Sequence, residues 1–132
     1  MLDALHAQHR IRLAGIDAPE KAQPYGDASK RHLAEMVFGA SVTVDYEKRD
    51  RYGRIVGKIR NGGRDASLEQ LRAGFAWHYK QYEREQSRAD RTAYAEVETA
   101  AQLARAGLWR DPAPVPPWSW RLERRAKYGL QR

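Results

Sequence analysis

The sequence predicts a mixed α+β domain, mainly a small β-barrel with helices appended to it, and three observations lead there. The chain has 132 residues, the size of one compact unit with a single core. Short apolar runs that alternate with polar residues recur along its N-terminal half, bounded by glycine, asparagine or proline turn signals. Between and after these runs lie stretches whose apolar residues repeat at helical spacing.

In chain order, residues 9–16 read as a strand, with Ile11 and Leu13 on one face and Arg12 on the other. Asp17-Ala18-Pro19-Glu20 ends it, because Pro19 has no amide hydrogen for a ladder and restrains Ala18. Asp27 to Phe38 is expected to be helical. Asp27 would cap its start, Leu33, Met36 and Val37 share a face, and Gly39 stops it. Ser41 to Glu47 alternates, with Val42, Val44 and Tyr46 on one side. After a polar turn at 48–51, a second strand runs from Tyr52 to Arg60, and Asn61-Gly62-Gly63 is a hairpin signal. Ser67 to Ala73 reads as a short helix ended by Gly74, Phe75 to Tyr79 as a brief aromatic strand, and Lys80 to Ser87 as a polar loop. A longer helix is expected over Arg88 to Ala106, with Tyr94, Val97, Ala101 and Ala104 in step and Gly107 as its stop. The four prolines between Asp111 and Pro117 mark a connector, with Trp118 and Trp120 beyond it.

This order suits a Greek-key barrel, for which the five-stranded OB-fold is the common small form and a frequent nucleic-acid platform. Only a stub precedes residue 9, so the first strand looks truncated. One OB domain is expected over 1–121, followed by a basic tail over 122–132. The absence of cysteine excludes disulfides and thiolate metal sites. No apolar run approaches the roughly 18–20 residues of a membrane span. Met1-Leu2-Asp3-Ala4 opens without a secretory signal pattern, and the compartment stays open. A net charge of +7 favours a polyanionic partner, nucleic acid before membrane. Much of that charge sits between Arg121 and Arg132, where five basic residues face the single acid Glu123.

Two clusters could carry chemistry. Arg12, Asp17 and Glu20 gather around one strand end, where Pro19 stiffens the turn that presents the carboxylates; such hard oxygens suit Ca²⁺ or Mg²⁺. From spacing alone, the plainer reading is an Arg12–Asp17 ion pair on a barrel rim. In Asp50-Arg51-Tyr52-Gly53-Arg54, Gly53 permits close backbone approach while the arginines and Tyr52 offer phosphate and stacking contacts. Read alone, it is more simply a charged hairpin turn with an ordinary glycine. His6, His9, His32 and His78 show no metal-ligand spacing, and Trp77, Trp109, Trp118 and Trp120 suit packing.

Taken together, these segments resemble a known family. Arg12-Leu13-Ala14-Gly15-Ile16-Asp17-Ala18-Pro19-Glu20, with Gln23-Pro24-Tyr25-Gly26 and a helix after it, resembles the first motif of the staphylococcal nucleases, and Asp50-Arg51-Tyr52-Gly53-Arg54 the second. Leu71 to Trp77, Gly107-Leu108-Trp109 and Pro116-Pro117-Trp118-Ser119-Trp120-Arg121 look like the bacterial branch. The resemblance implies a Ca²⁺-dependent endonuclease that hydrolyses phosphodiester bonds of DNA or RNA with little sequence preference. By the same resemblance, Asp17 and the Ala18 carbonyl would hold the metal, Glu20 would position or deprotonate the attacking water, and Arg12 and Arg54 would bind the scissile phosphate. Arg51, Tyr52, Tyr79 and Tyr82 fall where the family contacts the nucleotide and its terminal phosphate. The family's Asp-Gly-Asp-Thr-like first strand, which carries a further metal ligand, would lie before Met1. Weak metal binding, poor activity and an unpaired barrel edge are therefore expected, in a monomer open to edge-mediated dimerisation. A longer N-terminus would imply secretion or a periplasmic site. The alternative expectation is a non-catalytic nucleic-acid-binding OB module.

Overall fold

A computed structural model describes residues 1–3, 5 and 7–127. The architecture is mixed α+β. The expected first strand is divided in two, β1 (Ile11–Leu13) and β2 (Ile16–Asp17), because Ala14-Gly15 turns the chain with Gly15 at φ 79°. After β2 come α1 (Gly26–Val37), β3 (Thr43–Arg49), β4 (Ile55–Asn61), β5 (Arg64–Asp65) and α2 (Ala66–Arg72). The chain continues through β6 (Trp77–His78), α3 (Arg88–Leu103) and α4 (Pro117–Lys127). 3₁₀ turns occupy Lys80–Glu85, kinked at Tyr82, where the sequence suggests a loop, and Gly107–Arg110.

Strand pairing differs from the expected barrel. One sheet runs β1-β4-β3 with β5 folded onto β4, and a separate pair joins β2 to β6; among the described residues the strands do not close into a barrel. β1 lies parallel to β4, Ile11 opposite Ile55 and Leu13 opposite Gly57. β3 and β4 are antiparallel with a bulge between Tyr46 and Lys48. Gly62 and Gly63 form the two-residue turn of the β4–β5 hairpin, as their sequence suggests. The face expected to be buried on β3 is only half covered: Val42 and Val44 are half-buried and Tyr46 is exposed.

Ile16, Leu71, Ala76 and Tyr94 form the core, with Leu13, Ala18, Leu68 and Val97 packed against them. Tyr94 and Val97 of α3 belong to this cluster and Ala101 is buried, whereas Ala104, expected on the same face, is exposed just past the helix end. α1 starts from Tyr25 in the left-handed conformation, φ 69°, with no side-chain cap. Asp27 lies instead in the first turn, where its charge opposes the positive end of the helix dipole. Asp65 caps α2 through the Ser67 and Leu68 amides, and Ser87 caps α3 through the Asp90 amide. Gly74 and Gly107 meet back to back, and the Leu108 amide donates to the Gly74 carbonyl at 2.8 Å. That contact fixes the end of α3 behind α2.

The segment after the proline connector is helical through Lys127. Pro117 opens α4 without losing a hydrogen bond, since the first amides of a helix have no partner within it. The expected tail thus continues α4 over 122–127, and residues 128–132, like His6, lie outside the described residues.

Candidate active site

Asp17 ends β2, paired with Trp77 of β6. The loop after it is tied on both sides of Pro19-Glu20. The Glu20 amide donates to Gln23 Oε1 at 2.9 Å, and the Gln23 amide donates back to the Glu20 carbonyl at 2.8 Å. Gln23 is buried, and its Nε2 donates to the Val115 carbonyl at 3.0 Å, anchoring the proline connector to this loop. Gly26 packs so tightly on the Glu20 carbonyl that a Cβ there would collide with it. The Glu20 backbone is therefore rigid, while its side chain reaches solvent at 37% exposure.

The second element is a turn organised by Asp50. Its Oδ1 accepts from the Tyr52 amide at 2.9 Å and the Arg54 amide at 3.0 Å, and its Oδ2 accepts from Arg54 Nε at 2.8 Å. Gly53 supplies the positive φ, 78°, that lets the chain reverse. Arg51 and Arg54 both lie over the exposed Tyr52 ring, at 5.1 and 5.7 Å from its centroid. Arg10 Nη2 holds the Tyr52 carbonyl at 2.6 Å.

Arg12 projects from β1 toward this turn. Its Nε lies 3.6 Å from Asp50 Oδ2, and its two terminal nitrogens donate to Glu85 at 3.2 and 2.8 Å. Lys48 adds a contact to Glu85 at 2.9 Å. Burial works to raise the Glu85 carboxyl, but the bonds from Arg12 and Lys48 outweigh it and hold it below the usual carboxylate range. Asp50 is likewise held low, its desolvation outweighed by the Arg54 and Tyr52 amides and the Arg54 guanidinium. The Arg12 guanidinium also stands 5.2 Å from the Tyr82 ring centroid. Tyr82 packs edge-on against Tyr79 at 4.7 Å, and Tyr79 stacks on Trp118 of α4 at 5.0 Å and 8°. This aromatic row joins the arginine cluster to the acidic loop.

At that end of the row sits Arg121. Its Nη2 is 2.7 Å from Asp17 Oδ2, and its Nη1 is 3.2 Å from Asp17 Oδ1 and 3.4 Å from Glu20 Oε2. The bonds to Asp17 raise its pKa despite partial burial. The Arg12–Asp17 rim pair left open by spacing does not form; Arg12 takes Glu85 and Asp50, and Asp17 takes Arg121.

Sequence reasoning picks out Arg12, Asp17, Glu20, Asp50 and Arg54 but not two of their partners. Glu85 lies in a stretch that reads as an ordinary polar loop, and no spacing marks it. Arg121 reads as the end of a packing motif and the start of a basic tail. The described histidines stand apart: His78 is buried in β6, its Nε2 donating to Gln86 Oε1 at 3.0 Å, and His9 pairs with Asp3 at 2.9 Å. Asp17 and the Ala18 carbonyl are hard oxygens that fit Ca²⁺ in kind. Among the described residues no group of three or more His, Asp or Glu gathers around a common point, so water and substrate phosphate would have to complete the six to eight ligands.

Residues 10–111 match the family described as staphylococcal nuclease homologue. The chain belongs to that family. It is 43% identical over 123 residues to a probable staphylococcal-like nuclease of Oryza sativa subsp. japonica, covering 93% of this chain and 35% of that protein. It is also 43% identical over 113 residues to an uncharacterized endonuclease of Escherichia coli, covering 85% of this chain and 70% of the relative. A staphylococcal-like nuclease of Arabidopsis thaliana is 39% identical over 123 residues, 93% of this chain and 36% of its own. The chain spans about a third of the length of these plant relatives. The staphylococcal nuclease match contains Arg12, Asp17, Glu20, Asp50, Arg54 and Glu85, and ends before Arg121.

Proposed function

We propose that this staphylococcal nuclease homologue is an endonuclease that hydrolyses phosphodiester bonds of DNA or RNA with the help of Ca²⁺. The observation that carries the reading is the gathering of Arg12 and Arg54, from separate segments, at the single carboxylate of Asp50. A phosphodiester resists attack because its anionic oxygens repel a nucleophile, and paired guanidiniums oppose that repulsion most strongly as charge builds. Arg12 and Arg54 bind the scissile phosphate. Glu20 takes the proton of the attacking water as its oxygen bonds phosphorus and the opposite ester oxygen departs. Asp17 and the Ala18 carbonyl would hold the cation, which would supply positive charge to the site and make the attacking water more acidic. Arg51, Tyr52, Tyr79 and Tyr82 contact the nucleotide and its flanking phosphate, and contacts of this kind read no sequence. The same reading takes the two sheets as portions of an OB-fold.

Plasmid DNA and a structured RNA, incubated with the chain in Ca²⁺ or in chelator, test this. Degradation in Ca²⁺ alone that Glu20→Gln abolishes supports the reading, and degradation indifferent to both chelator and Glu20→Gln overturns it. A second reading, a nucleic-acid-binding module without catalysis, is favoured by the Arg121 contacts that occupy Asp17. It requires a gel shift with no cleavage at any Ca²⁺ concentration.

A further inference from the structure

We infer that Arg121 is a latch on the acidic half of the site, occupying Asp17 and Glu20 until a divalent cation displaces it. The inference rests on the proposed role of Asp17 as a cation ligand. The Arg121 fork takes one oxygen of Asp17 with each terminal nitrogen, at 2.7 and 3.2 Å, and the nearer of these nitrogens to Glu20 also reaches Oε2 at 3.4 Å. A cation on Asp17 needs the same lone pairs and carries the same sign of charge, so the two compete for one place. The Asp17 side chain is only 14% exposed, which limits screening of that competition by water and salt.

The first turn of the helix that carries Arg121 is packed into the fold. Pro117 is buried, and Trp118 stacks on Tyr79 and meets Trp77 edge-on at 5.5 Å. Past Arg121 the side chains from Leu122 to Lys127 are exposed, Leu122 at 64%. Arg121 can therefore leave Asp17 without dismantling the aromatic packing that seats α4. Once released, its guanidinium is left beside a site built for phosphate, where an anionic oxygen would replace the carboxylates it gave up. The latch thus protects two carboxylates from mutual repulsion while cation and substrate are away.

Calorimetric titration of the 132-residue chain with CaCl₂ tests this, comparing wild type with Arg121→Gln, Arg121→Lys, Asp17→Asn and the Asp17→Asn/Arg121→Gln double variant. Thermal melts check that each remains folded. If the latched form dominates, removing it tightens apparent Ca²⁺ binding by about tenfold or more in Arg121→Gln. Arg121→Lys, which keeps the charge but loses the fork, falls between the two and carries the comparison should Arg121→Gln fail to fold. The double variant loses the gain. Equal or weaker Ca²⁺ binding by the Arg121 variants, with binding still dependent on Asp17, overturns the latch and leaves Asp17 as a ligand. Ca²⁺ binding that ignores Asp17 in every background overturns both.

Discussion

Arg12 and Arg54 direct their Nε atoms at the same oxygen, Asp50 Oδ2, at 3.6 and 2.8 Å. Two guanidiniums brought this close repel each other, and the carboxylate between them offsets the repulsion. Asp50 also spends its other oxygen on the backbone of its own turn, so the residue that gathers the charges also shapes the loop that presents one of them. On the proposed function, holding the arginines as a pair in advance would lower the cost of binding a phosphate.

Glu20→Gln and Arg54→Ala should each cut turnover by a factor on the order of 10² or more with the fold intact. Both are proposed to act chiefly as charge builds at the phosphate. Steady-state kinetics alongside circular dichroism checks this; unchanged rates in folded protein would move the chemistry to other residues.

Glu85→Ala should destabilise the chain by about 1–3 kcal/mol, because it strands Arg12 and Lys48 without their shared acid. The stabilisation has a defined pH sign. The Glu85 carboxyl lies below its ordinary value of 4.5 in the fold, so its contribution is complete above that value and is lost as pH falls through the lower folded one. Chemical denaturation at neutral pH and at pH about 3 should show the wild-type advantage over Glu85→Ala shrinking in acid.

His78 is buried beside Lys80, and burial pushes its imidazole below the ordinary 6.5. A base that resists protonation in the fold contributes stability present above 6.5 and lost as pH falls below it. Nuclear magnetic resonance titration should find the His78 ring still neutral at pH 6.5; half-protonation there, or higher, would contradict this.

Gly74→Ala should be among the costliest substitutions of a single methyl. Gly74 sits at φ 77°, and an added Cβ would strike the Ala106 carbonyl, a backbone group that cannot swing aside. Backbone strain and overpacking together suggest a loss on the order of 2–4 kcal/mol, or roughly 10 °C in Tm. A melt of Gly74→Ala beside Gly62→Ala separates the collision from the conformation, since Gly62 also has positive φ but open space around it.

Much of this was legible in the chain because it depends on near neighbours. The Gly62-Gly63 hairpin and the Asp50 to Arg54 turn are local devices, in which a residue's own conformational freedom or a side-chain oxygen two to four residues away decides the geometry. The stop expected at Gly107 comes earlier, α3 ending at Leu103 with Arg105 in the left-handed conformation. The division of the first strand was less legible, because Ile11 to Ile16 alternates well enough to run on, and that alternation shows neither the turn at Ala14-Gly15 nor the pairing of the two halves to different sheets. Among the described residues the expected barrel does not close, for the same reason: strand order depends on which edges meet, and alternation says nothing of that.

By itself the sequence determined the two motifs, the family they belong to and the residue types able to handle a phosphate, since those follow from adjacent side chains and short spacings. Only the tertiary structure decided which charge answers which. Arg12 pairs with Glu85 across 73 positions and Arg121 with Asp17 across 104, contacts that no periodicity encodes. A long-range ion pair forms where packing leaves two opposite charges together with little water between them, and that packing exists only once the helices and sheets have been assembled.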